Sequence, residues 1–308
     1  MAYRLMSAER VGDGLKRIIC EQIDKADRRL AAPASERAEA IWDARKRFKK
    51  VRAALRLVRG TIGESAYKAE NRCFRDAGRQ LSWSRDQQVL VGSLNGLRAQ
   101  RALAPLAFDA ARAELAAQAE AARERLERDV EVVADVRDRI AGARLRILSR
   151  GFERDDWGAL SPGLKRVYSD GHTALGDALR SGDAEHMHEW RKQVKHLWYQ
   201  LRILRTASPA MLTPMADQAH ELAVVLGQDH DLWLLSQWIA GWQAQPSDAE
   251  VDADTPALIT VVERRRAQLH DAAQPLARQV YGQKPGAFVG GIGAAWDAWR
   301  DQCRSIQR

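Results

Sequence analysis

Apolar residues return at steps of three and four along most of this chain, the period of helices that bury one face. The clearest case runs from Ile41 to Arg59, where Ile41, Ala44, Phe48, Val51, Leu55 and Val58 form one stripe. The residue after each of them is Trp42, Arg45, Lys49, Arg52, Arg56 or Arg59. These make a second stripe, about 100° round the helix from the first. A solvated helix face mixes its charges, with Glu one turn from Lys. This stripe contains no acid, and Asp43 is the one carboxylate in a segment with eight Lys and Arg.

The same pattern predicts helices on both sides of that stretch. The first covers Val11 to Leu30, and the basic helix follows a cap at Ser35 and stops at Gly60 to Gly63. A third is expected from Glu64 to about Arg101, a break at Pro105, and a long Ala-, Glu- and Arg-rich helix over Phe108 to Ile147. The mixed signs of that last helix are those of an outer face. Gly151 to Gly163 reads as the joint between halves, and Leu164 to Arg180 opens the second. After a Ser181-Gly182-Asp183 turn and a second basic helix, a loop is expected at Thr206 to Pro214. Helices at Met215 to Trp242, Ala257 to Tyr281 and Ala294 to Gln307 complete the chain. A polar loop at Ser247 to Pro256 and a glycine-rich break at Gly282 to Gly293 divide them. No stretch shows the two-residue period of a strand, so the fold class is all-α.

The second basic helix repeats the first. Met187 to Arg205 overlays Ile41 to Arg59 at a shift of 146, with six identities: Arg45/Arg191, Lys46/Lys192, Lys49/Lys195, Leu55/Leu201, Arg56/Arg202 and Arg59/Arg205. The apolar stripe repeats as Met187, Trp190, Val194, Leu197, Leu201 and Leu204, and Trp198 takes the place of Arg52. A second block, Leu81 to Asp86, overlays Leu226 to Asp231 at a shift of 145. Two paired blocks in one order point to internal duplication.

Charge adds to this picture. The chain of 308 residues carries a formal net charge of +8, which favours an anionic partner. Cys20, Cys73 and Cys303 are far apart and form no CxxC pair, so neither a zinc site nor a disulfide framework is expected, and a reducing, cytoplasmic setting is the simple reading. The N-terminal segment lacks the apolar core of a signal peptide, and no apolar run approaches the roughly 20 residues of a membrane span.

The segments HEWRKQVKHLWYQL and LGQDHDLWLL resemble the second half of a CHAD domain, the conserved histidine α-helical domain; WDARKRFKKVRAALRL and RDAGRQLSWSRDQQVL resemble its first half. The resemblance extends from about residue 9 to the C-terminus. One departure is Trp42, which stands where the family's first motif usually opens with His. The resemblance implies one CHAD-like domain of two repeats, residues 1–150 and 151–308. These would be pseudo-symmetric four-helix-type bundles packed around a central basic cleft or pore. It implies non-enzymatic binding of inorganic polyphosphate there, with residence at polyphosphate granules in the cytoplasm, and it places His188 in the basic site.

The chemistry of the stripes fits that implication. Two one-sign rows that converge repel each other unless an anion lies between them. Arginine meets phosphate with paired donors and lysine supplies point charge. The expected site is Arg45, Lys49, Arg52, Arg56, His188, Arg191, Lys195 and Arg202, with Arg75, Arg79, Arg85, Lys46 and Lys192 as a second tier. A single-stranded nucleic-acid binder, stacking bases on Trp42 and Trp198, is one alternative. A polyphosphate-processing enzyme using Asp86 and Asp231 is another. No P-loop or acidic magnesium-binding cluster supports the enzyme. A metal site from His188, His220 and His230 is disfavoured by the cations Arg191, Lys195 and Arg202 beside it. No cofactor, metal, membrane or DNA partner is expected.

Overall fold

The computed structural model describes residues 3–306 apart from 8, 83–84, 100–108, 129, 153 and 244–254. Among the described residues there are twelve α-helices and no strand. The first-half helices are α1 (Val11–Leu30), α2 (Arg37–Leu57), α3 (Arg59–Ile62), α4 (Glu64–Gln80), α5 (Arg85–Ala99), α6 (Asp109–Arg128) and α7 (Val130–Ser149). Those of the second are α8 (Ser161–Ser181), α9 (Ala184–Leu204), α10 (Pro209–Gln243), α11 (Thr255–Tyr281) and α12 (Pro285–Ile306).

Both apolar stripes are buried along their whole length, Ile41 to Val58 on α2 and its margin, and Met187 to Leu204 on α9. They feed one large core to which α1, α2, α4, α7, α8, α9, α10 and α12 all contribute. In the first half α1 packs on α2 and α7, and α4 packs on the same two helices. In the second half α9 lies between α8 and α10. The halves meet where α2 packs against α9, and there Gln200 Nε2 donates to the Ala53 carbonyl at 3.3 Å. A neighbouring contact depends on glycine: a Cβ on Gly163 of α8 would lie 2.1 Å from the Leu57 carbonyl oxygen of α2.

Helices α5 and α6 pack on each other, and α5 also packs on α10. With α11 they enclose a second apolar cluster containing Leu90, Leu94, Leu115, Leu235 and Val262. This explains why Glu64 to Arg101 is two helices rather than the single one expected. Phe74 and Ala77 of α4 serve the large core, whereas Leu90 and Leu94 of α5 serve the other, so the chain turns at Leu81 and Ser82. The segment expected as one helix from Phe108 to Ile147 is helical over Asp109–Arg128 and Val130–Ser149, on either side of residue 129, which lies outside the described residues. Leu115 of α6 is in the second cluster, while Val136 and Ile140 of α7 face the large core. The expected break at Pro105, and most of the loop at 247–256, lie outside the described residues.

Two expected breaks are mostly helical, although a non-helical link remains at residues 282–284. The segment Thr206 to Pro214 becomes a short 3-10 turn at Arg205–Ala207 and then the start of α10. Pro209 occupies its first position, where a missing N–H costs nothing, and Leu212 N donates to the Ser208 carbonyl at 2.8 Å. Gly286, Gly290, Gly291 and Gly293 lie inside α12. Each costs about 1 kcal/mol against alanine. Burial of Phe288, Val289, Ile292 and Trp296, at roughly 1.5–3 kcal/mol apiece, outweighs that. The Ser181–Asp183 turn is as expected: Gly182 takes φ 66°, and the Asp183 carboxylate caps α9 by accepting from His186 N at 2.9 Å.

Candidate functional site

Beside the α2/α9 contact lies a cavity of about 470 Å³ walled by α2, α4, α9 and α10, with Val89 of α5 at its edge. Arg45, Lys49, Arg52 and Arg56 line it from α2. Because each follows a buried apolar residue, its stem packs along the core margin while its head turns into the hollow. Arg75 and Arg79, one helical turn apart, enter from α4, and Arg191, Lys192 and Lys195 from α9. Phe48 and Phe74 give it an apolar floor, their ring centroids 5.8 Å apart. Among the described residues, nine Lys and Arg side chains face two carboxylates, Glu189 and Asp231.

Glu189 is already engaged. It accepts a close contact from Lys192 and a hydrogen bond from Gln193 Nε2 at 2.6 Å. Arg75 pairs with Asp76 at 2.8 Å. The deeper guanidiniums have a neutral partner: Arg52 Nε and Arg56 Nη1 both donate to Asn71 Oδ1, at 3.0 and 2.8 Å. Burial, and then the neighbouring Arg56, push the Arg52 pKa down to about 10. Arg56 is lowered as well, first by burial and then, among its neighbours, by Arg59. Both still carry charge at pH 7 and share one amide oxygen.

Two imidazoles at this site, His188 and His196, are neutral at pH 7. Burial, followed by Arg191, Lys192 and Lys49, lowers His188 to about 4. His196 lies well below its ordinary value, first through burial and then through Arg56 and Arg52. The His188 ring lies against His230 of α10, tilted by 33° with centroids 4.1 Å apart, and Trp233 stacks on His230 in turn. His220 is elsewhere, parallel to the Trp198 indole at 4.2 Å. The three histidines of the metal alternative do not converge, and among the described residues no group of three or more His, Cys, Asp or Glu could hold a metal.

Ten of the thirteen residues named from sequence line this one cavity. Arg202 does not: its guanidinium lies 5.3 Å from the Trp198 ring and 5.7 Å from Tyr3, beyond the α2/α9 contact. Lys46 also points away, 3.6 Å from the Asp43 carboxylate and 4.5 Å above Trp42. The side chains of Arg85 and Asp86 lie outside the described residues. Trp42 itself is 51% exposed and is not part of the lining. Trp198 is covered by His220 and by Tyr199, stacked at 4.5 Å.

Sequence reasoning missed Asn71. Its signal was its place one turn before Arg75 on the same face of α4. His230, weighed as a metal ligand and set aside, was not among the residues placed in the site. The LGQDHD segment divides its residues between tasks. Asp229 is buried in the α10/α11 seam, accepting from Arg266 Nε at 3.0 Å and bonded to His270 Nε2 at 2.9 Å. His230 and Asp231 face the cavity. No helix of the described residues is long and apolar enough to cross a membrane.

The family model described as CHAD domain matches residues 17–240. PptA from Streptomyces chartreusis is structurally similar, with a TM-score of 0.65 and 17% identity over 89% of this chain and all of that one. The CHAD domain from the plant Ricinus communis gives a TM-score of 0.50 and 16% identity over 96% of this chain and 95% of its own. A search of curated proteins returns no match.

Proposed function

The chain belongs to the CHAD domain family, whose known role is polyphosphate binding, and from that premise we propose that it binds inorganic polyphosphate in the cavity between α2, α4, α9 and α10. The observation that carries this reading is the charge of the lining, nine Lys and Arg against two carboxylates. Cations held together at reduced dielectric repel one another, and a linear polyanion replaces that repulsion with attraction. Repeating phosphates meet arginine forks at Arg45, Arg52, Arg75, Arg79 and Arg191, with Lys49 and Lys195 as point charges. Arg56 shares its amide partner with Arg52 and stands at the back of the row. The cavity supplies no base-reading pattern, so recognition is of charge and spacing.

The chain acts as a binding module that leaves polyphosphate intact, and polyphosphate granules in the cytoplasm are where it would reside. Phosphoryl transfer calls for carboxylates that hold magnesium. Of the two carboxylates in the lining, Glu189 is committed to Lys192 and Gln193. Calorimetry with phosphate chains of graded length tests the reading: affinity should rise with length until the cavity is spanned. Absence of binding at every length defeats it. Chain lengths run on a gel after incubation with magnesium should be unchanged, and shortening would restore the enzymatic alternative. Single-stranded RNA should be displaced by long polyphosphate at equal charge; RNA that resists displacement would favour the nucleic-acid reading.

A further inference from the structure

A second chamber of about 370 Å³ adjoins the basic cavity, bounded by α5, α10 and α11. The two spaces share a wall, since Val89 and Asp231 line both. Their chemistry differs sharply. The second chamber has apolar surface from Leu97, Leu232 and Leu269, and polar groups from Ser93, Gln228 and Arg265. Among the described residues Arg265 is the one Lys or Arg in its lining, and its Nη1 donates to Gln268 Oε1 at 3.0 Å. A guanidinium is planar and can stack on a flat ring.

A bare phosphate chain would leave leucine surface unsatisfied here. The volume falls in the roughly 300–1,000 Å³ range of small-molecule sites, which pair apolar walls with a few placed polar groups. A heteroaromatic base has apolar faces and a hydrogen-bonding edge, and a ribose carries hydroxyls. Because the chamber opens beside a cavity built for phosphates, its occupant should carry phosphates of its own. Resting on the polyphosphate reading of the neighbouring cavity, we propose that the chamber receives the nucleoside end of a nucleoside polyphosphate, whose phosphates extend past Asp231 into the arginine row.

Two glycines supply the test. A Cβ on Gly92 or Gly96 would meet nothing within 4 Å, and both residues line the chamber. Gly92→Leu and Gly96→Leu therefore fill it while improving helix propensity in α5. Adenosine 5′-tetraphosphate and inorganic tetraphosphate, matched in chain length, are titrated without magnesium into the full chain and each variant, beside long polyphosphate. Helicity is checked by circular dichroism. The nucleoside form should bind the unsubstituted protein at least about tenfold tighter than the inorganic form. Each leucine variant should lose that advantage and keep its affinity for both inorganic chains. Equal affinity for the two tetraphosphates, or an advantage that survives both substitutions, overturns the proposal. If adenosine tetraphosphate binds and no inorganic chain does, the chamber stands and the polyphosphate reading falls.

Discussion

Helices α2 and α9 carry matching sequences, yet α2 keeps its basic row against the cavity from Arg45 to Arg56, while α9 leaves it after Lys195. The two rows start alike, with Arg45 and Lys49 facing the same hollow as Arg191 and Lys195. They part at the contact between the helices, where Gln200 reaches the Ala53 carbonyl. Beyond it Arg56 finds Asn71 and the cavity, while its counterpart Arg202 finds Tyr3 and Trp198. A second matched pair shows the same division. His196 sits among Arg52 and Arg56, and Lys50, at the shift of 146, sits among Arg47 and Arg202. Burial and then those cations push Lys50 down to about 7. Both sides of the contact gather positive charge. One side opens into the cavity, and the other is packed with Tyr3, Trp198 and Tyr199. Charge pattern alone thus does not make a cavity; the same residues line one only where packing leaves room for it.

Charge reversal tests this division most strongly. Arg45→Glu with Arg191→Glu should weaken polyphosphate binding by about three orders of magnitude near physiological salt, without loss of helicity, because neither residue is on the apolar stripe. Arg202→Glu should change affinity by less than about threefold. Equal losses in the two variants, measured by calorimetry, would erase the distinction between the sides.

A smaller effect is expected at Asn71. Replacing it with Asp puts a carboxylate where the amide oxygen now receives Arg52 and Arg56. The neutralised pair should raise the melting temperature and weaken polyphosphate about tenfold. A variant that binds more tightly would show that these arginines do not serve the ligand.

The smallest effect concerns pH. Burial and the neighbouring cations hold His188 at about 4, so it is uncharged at pH 7. A polyanion beside it raises that value, so the complex takes up a proton that the free protein does not. Affinity for long chains should therefore increase by a few-fold as pH falls from 7 to 5. His188→Asn should flatten this increase. A wild-type affinity that falls over the same interval would contradict the assignment of His188 to the site.

Much of this was legible in the sequence, for reasons that also mark where legibility ends. Val11 to Leu30 matches α1 because Leu15, Ile18, Ile19 and Ile23 hold one face. The basic rows were legible because a helix fixes the angle between neighbouring residues. What lies opposite a row depends on how helices cross, so Arg202 and Lys46 were assigned to a cavity they do not line. His230 enters from α10, and no local period announces that approach. The glycine run in α12 looked like a break because glycine is a poor helix former, and the burial of Phe288, Val289, Ile292 and Trp296, which overrides that local preference, is decided by tertiary packing.

The most direct test of the central claim is the salt dependence of polyphosphate binding by the unsubstituted chain. If the excess cations of the cavity hold the ligand, the logarithm of the association constant should fall linearly with the logarithm of salt concentration, with a slope of about −5 or steeper. A shallow or flat slope, or affinity that persists unchanged at high salt, would contradict it.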